Sequence, residues 1–170
     1  MYDVVLLIEE ELTEPDALRV VELHREAPDG VRYHLVLPCD NLAAGIEAGL
    51  ANLGTADLYA MAPADQQLEL AAESQRSVDD QAAAILGRSI QRLTAFGRQA
   101  DGSITHGHPV DALRELVKRV DGQTVVILTR PHVMAEFFHT DWSAQARRHL
   151  GIPVVHLLRQ NEGQRPATTS

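Results

Sequence analysis

Thiol chemistry is nearly missing from this chain. Cys39 is its one cysteine, so no internal disulfide can form, and a reducing, intracellular setting is expected. Long apolar runs are missing too: none approaches the roughly 20 residues a helix needs to cross a bilayer. No basic-then-apolar leader precedes the first strand pattern, so a cytoplasmic location is expected. Positive charge is in short supply, with 15 Lys and Arg against 24 Asp and Glu and a formal net charge of −9. That balance works against nucleic acid, which needs a concentrated cationic surface. The densest basic cluster, Arg147-Arg148, suits a helix terminus better. Aromatics are few: one Trp, three Tyr and three Phe. Phe137, Phe138 and Trp142 nevertheless share the glycine-free stretch TRPHVMAEFFHTDWS, Thr129 to Ser143.

What is present reads as one α/β domain over residues 1–159, with a polar tail at 160–170 expected to be disordered. Asp3 to Ile8 is a continuous apolar, β-branched run, the pattern of a strand buried on both faces. Thr13 with Asp16 three residues on predicts a helix start, followed by the apolar positions Leu18, Val21 and Leu23. Val31 to Leu37 predicts a second strand closed by Pro38. Residues 40–64 predict a short helix and a covering loop. Helical periodicity runs from about Gln66 to Phe96, with Val78, Ala82, Ile85, Ile90 and Leu93 on one face and a break expected near Ser74. A short strand at Gly102 to Thr105, the turn Gly107-His108-Pro109, a helix at Val110 to Arg119 and a strand at Thr124 to Leu128 follow. A last helix at Ser143 to His149 ends at Gly151, and Val154 to Leu158 is the closing strand. Strands alternating with helices imply a five-stranded, mainly parallel sheet with helices on both faces. In such folds ligands sit beyond the carboxyl ends of the strands, where the strand order reverses.

Gly107-His108-Pro109 before VDALRELVKR, the strand TVVILTR and the closing HLGIPVVHLL together resemble the universal stress protein family, and the resemblance spans Asp3 to about Leu158. It implies a three-layer, adenine nucleotide alpha hydrolase-like sandwich and a homodimer. The dimer would pair through the last strand, by Val154, Val155, His156 and Leu157. Nucleotide-binding members carry Gly-x2-Gly-x9-Gly-Ser/Thr after the fourth strand, glycines that let backbone amides approach phosphates. Here that spacing falls on Thr129, His132 and Trp142, with only Ser143 kept. Thr129 and Trp142 are therefore expected to block the loop, no cofactor is expected, and ATP is not expected to bind in the usual way. The acidic residue such members place near the ribose corresponds to Glu9.

The remaining chemistry is sparse. Glu9, Glu10, Arg130, His132 and Ser143 are the candidate ligand-binding residues, for an unknown small ligand at the crevice. An arginine such as Arg130 can grip a phosphate or carboxylate with two bonds. Pairing of Arg130 with Glu9 or Glu10 across the crevice is the favoured reading. His132, Glu136 and His139 share one helical face and are legitimate Zn²⁺ ligands, but their spacing does not match a zinc-hydrolase signature. Local hydrogen bonding is favoured for them over a metal. His106-Gly107-His108 offers two imidazoles with no cysteine or third ligand close by in sequence. A strand end and a turn are favoured there. A receiver domain would need an aspartate where His106 stands and a lysine where Arg159 stands. No Gly-x-Ser-x-Gly elbow, Cys-His arrangement or Walker loop occurs. A regulatory or binding role is thus expected ahead of an enzymatic one. The alternatives are a small-ligand or metal-dependent enzyme, or a nucleotide pocket rearranged around Glu9, Arg130 and His132.

Overall fold

The computed structural model describes residues 1–27, 30–39, 63–129 and 150–159. Eight elements alternate along them: β1 Tyr2–Ile8, α1 Glu14–Glu22, β2 Val31–Pro38, α2 Ala64–Ala95, β3 Gln99–Thr105, α3 Pro109–Val120, β4 Thr124–Thr129 and β5 Val154–Leu158. The five strands form one sheet in the order β3-β2-β1-β4-β5, and every pairing is parallel. From β1 the chain steps outward to β2 and β3, then crosses back to β4 on the other side of β1. The order therefore reverses between β1 and β4. Right-handed crossovers taken in opposite directions place their helices on opposite faces. Accordingly α1 and α2 cover one face and α3 the other.

Side-chain alternation along the strands divides the core in the same way. Val4, Leu6 and Ile8 of β1, with Val126 and Leu128 of β4, pack toward α1 and α2. Val5 and Leu7, with Val125 and Ile127, pack toward Leu113, Leu116 and Val117 of α3. Strands buried on both faces need apolar residues at every position, which is why β1 and β4 read as unbroken runs. The two edge strands differ. β5 is Val-Val-His-Leu-Leu, whereas β3 is Gln-Ala-Asp-Gly-Ser-Ile-Thr.

Three differences from the sequence expectation have physical reasons. First, α2 runs unbroken for 32 residues, about 48 Å, with no interruption at Ser74. No proline or glycine falls between Ala64 and Leu86 to break the hydrogen-bond ladder. Its first buried residue is Val78. Second, Leu18 of α1 and its C-terminal cap residue Leu23 do not face the core; they are 44% and 46% exposed, and the buried stripe is Asp16, Ala17, Val20 and Val21. Third, β3 begins at Gln99, because an edge strand can pair through polar residues. Asp101 of β3 meets the Nδ1 of His34 on β2 at 2.8 Å, and the Nε2 of the same ring meets Asp3 of β1 at 2.9 Å. One imidazole thus bridges carboxylates on both neighbouring strands.

The predicted caps are present. Thr13 Oγ1 accepts from the Asp16 amide at 3.3 Å and donates to the Asp16 carboxylate at 2.7 Å. Gly151 has φ +66, a conformation that favours glycine; the helix expected to precede it, Ser143 to His149, lies outside the described residues. At Gly102 a Cβ would lie 2.7 Å from Leu86 Cδ1 and 3.1 Å from Leu35 Cβ, so its absence lets α2 lie close on β2 and β3. Among the described residues no helix is long and apolar enough to cross a membrane. Nearly all of the short helix and loop expected in 40–64, the last helix expected at Ser143 to His149 and the tail at 160–170 lie outside the described residues.

Candidate functional site

Parallel pairing brings the carboxyl ends of all five strands to one rim. At the β1 end the chain leaves the sheet as Glu9-Glu10-Glu11-Leu12, and α2 receives it. The buried Leu12 donates its amide to Ser89 Oγ at 3.0 Å, and Ser89 in turn donates to the Ile85 carbonyl at 2.8 Å. Glu11 is gripped by Arg88 Nε at 2.5 Å and Arg92 Nη2 at 2.7 Å, while Arg92 Nη1 donates to the Leu12 carbonyl. Two arginines one helical turn apart on α2 therefore hold the Glu11 carboxylate and the Leu12 carbonyl.

The same segment is tied to the far side of the sheet by Arg159, just beyond β5. Its Nη1 reaches Glu10, its Nη2 donates to the Glu11 carbonyl at 2.9 Å, and its Nε lies 3.3 Å from Asp16 Oδ2. Its own amide donates to the Thr129 carbonyl at 2.9 Å. Asp16 is wholly buried. Oδ2 takes Thr13 and Arg159, whereas Oδ1 accepts no hydrogen bond and lies 4.0 Å from Arg19 Nη1. Arg19 Nη1 also donates to the Leu158 carbonyl at 2.7 Å. Among the described residues, the cation that spans the carboxyl end of β1 is thus Arg159. Arg130, to which the sequence assigned that pairing, lies outside the described residues. The signal for Arg159 was present: an arginine at the end of the last parallel strand shares a rim with the acidic run after the first. Glu9 is half-buried at the same rim.

Thr129, the residue at the first glycine position of the spacing, ends β4 and is 5% exposed. Its hydroxyl is 2.8 Å from His156 Nε2 of β5. Burial holds the His156 imidazole below its usual titration range. Val154, Val155 and Leu157 are half-buried, Val154 against the α3 face and Val155 and Leu157 against the α1–α2 face. Their outer backbone edge carries no strand partner among the described residues.

The rim's other corner lies at the ends of β2 and β3. Pro38 is in register with Thr105, so the next residues, Cys39 and His106, leave the sheet side by side. The Cys39 amide continues the ladder to the Thr105 carbonyl at 2.9 Å. Asp79 of α2 faces them. One ligand-type atom of each of Cys39, Asp79 and His106 lies within 4.8 Å of the others. The sequence had found no cysteine or third ligand near His106, yet Cys39 and Asp79 stand beside it. His108 is the N-terminal cap residue of α3 and makes no side-chain cap hydrogen bond. Burial also governs a separate aromatic cluster, where Tyr33 is pushed up to about 12 and His24 is held low. His132, Glu136, His139, Trp142 and Ser143 lie outside the described residues.

No protein-family model matches the sequence, and no curated protein matches it. Its fold is that of universal stress proteins. A universal stress protein family protein from Arabidopsis thaliana with AMP bound is 15% identical, with 98% of this chain and 97% of that one covered and a TM-score of 0.57. A universal stress protein from Archaeoglobus fulgidus is 13% identical, with coverage of 92% and 93% and a TM-score of 0.53. A third, in complex with cAMP, is 14% identical, with coverage of 94% and 98% and a TM-score of 0.52.

Proposed function

We propose that this chain is a divergent universal-stress-like protein, a homodimeric binding or regulatory module that does not hold ATP through a glycine-rich phosphate loop. The observation that carries the reading is the use of the β1 rim. Arg159 ties Glu10, Asp16 and the Glu11 carbonyl together where a ligand of this fold would be expected. The replacement of all three loop glycines by Thr129, His132 and Trp142 supports the same conclusion, because each adds a side chain where phosphate oxygens need bare backbone. AMP and cAMP, which accompany two of the structural neighbours, define the ligand class to test.

The dimer reading rests on the contrast between sheet edges. A polar edge such as β3 discourages pairing with another sheet, whereas the apolar β5 edge, which has no strand partner among the described residues, offers a template. Pairing about a two-fold axis through Val154 to Leu157 covers it.

Calorimetric titration of the purified chain with ATP, AMP and cAMP tests the binding claim, and sedimentation equilibrium tests the assembly. The expected results are no tight, stoichiometric ATP binding and a dimer. Tight one-to-one ATP binding would overturn the first claim. If that binding were lost in Arg130→Ala, it would favour a pocket rearranged around Glu9, Arg130 and His132. A monomer at micromolar concentration would overturn the second.

A further inference from the structure

The geometry points to a divalent transition-metal site at the β2–β3 corner, with Cys39, Asp79 and His106 as ligands and Zn²⁺ as the ion they suit best. The three come from separate elements, so the fold rather than a local motif assembles them. His106 Nε2 lies 3.4 Å from Asp79 Oδ1. That exceeds the 2.7–3.2 Å range of a good N–H···O hydrogen bond. It matches the separation of about 3.4 Å between two ligand atoms that each sit about 2.0–2.1 Å from a tetrahedral Zn²⁺. A thiolate and an imidazole nitrogen on the same ion would be about 3.6 Å apart. The observed limit of 4.8 Å leaves a small side-chain rotation to close the site.

Burial and support fit the assignment. Cys39 is 1% exposed, while the side chains of Asp79 and His106 are 43% and 54% exposed. The sulfur therefore anchors the floor and the other two ligands flank an entry path from solvent. The buried Val78 fixes the turn of α2 that carries Asp79. Gln75 Nε2 donates to Asp79 Oδ1 at 3.1 Å, the kind of outer hydrogen bond that orients a ligating carboxylate. Gly107 has φ +126, a conformation other residues rarely adopt, and lets the chain turn immediately after His106.

The donor set selects the ion. A thiolate and an imidazole favour Zn²⁺ and its neighbours over Mg²⁺ or Ca²⁺, which prefer oxygen. Thiolate and carboxylate together balance a charge of +2, and three protein ligands leave a fourth position for water or another donor. The inference is independent of the nucleotide reading, because it uses the opposite corner of the rim.

The test uses the full chain without an affinity tag, stripped by chelation and titrated with Co²⁺, then with Zn²⁺ in competition. Binding of one Co²⁺ per chain with a thiolate-to-cobalt charge-transfer absorption, displaced by Zn²⁺, is the expected result. Cys39→Ser should abolish that absorption. Asp79→Asn and His106→Gln change half-exposed side chains, and each should weaken binding at least about tenfold. Absence of the thiolate signal in the unmodified chain overturns the proposal. So does wild-type affinity in both exposed-ligand variants, and so does binding that survives them but is lost in His132→Gln or His139→Gln.

Discussion

The two corners of the carboxyl rim use similar residue types to opposite ends. Beyond β1 and β5, the carboxylates of Glu10, Glu11 and Asp16 meet Arg159, Arg88 and Arg92, and Arg92 and Arg159 also donate to backbone carbonyls. Beyond β2 and β3, a thiol, a carboxylate and an imidazole converge, two of them half exposed. In the first corner cations of the chain itself neutralise the acids, and three segments are locked together. In the second the donors face one another, and among the described residues Asp79 meets the Gln75 amide and the His106 imidazole rather than a lysine or arginine. A parallel sheet gathers polar strand ends at one rim, and the sequence just beyond each strand decides whether they neutralise one another or leave room for an ion.

That contrast breaks most readily at Arg159. Arg159→Leu leaves the buried Asp16 with Arg19 at 4.0 Å as its nearest cation among the described residues, and a loss on the order of 3 kcal/mol is expected from urea unfolding. The comparison arm is metal-free Asp79→Asn, expected within about 0.5 kcal/mol because that carboxylate is half exposed. Equal losses in the two variants would erase the distinction between the corners. Thr129→Val keeps the shape of the β4 end but removes the 2.8 Å contact to His156, and a loss of about 1 kcal/mol is expected. No change in unfolding midpoint would show that the contact does not hold β4 to β5.

The smallest expected effect concerns acid. Burial holds His156 and His24 below their usual value of 6.5 in the folded chain. Above pH 6.5 both rings are neutral whether folded or unfolded, so their contribution is complete there. Below pH 6.5 the unfolded chain takes up protons first, and stability falls until the pH passes the lower folded values. The urea midpoint should therefore drop between pH 7.5 and pH 5.5, and His156→Gln should make the drop shallower. An unchanged slope in that variant would remove His156 from the account.

The frame was legible because it depends on local repetition. β1, β2, β4 and β5 follow runs that need no partner to be recognised, and α3 follows Leu113, Leu116 and Val117 at helical spacing. Where burial is one-sided the signal weakened: β3 hid behind Gln99, Ala100 and Asp101, and α1 turned Leu18 outward while burying Asp16. Apolar content alone could not foresee a buried aspartate, since its place depends on an arginine 143 residues away.

Hydrophobic periodicity and capping residues, which act over a few neighbours, were enough to set the alternation of strands and helices and the parallel plan. The tertiary structure alone decided which polar residues meet. Cys39 reaches His106 because Pro38 pairs with Thr105, and Arg159 reaches Glu10 because β1 and β5 both flank β4. Strand order and register are set by long-range packing, so contacts that depend on them show only when segments far apart in the sequence are read together.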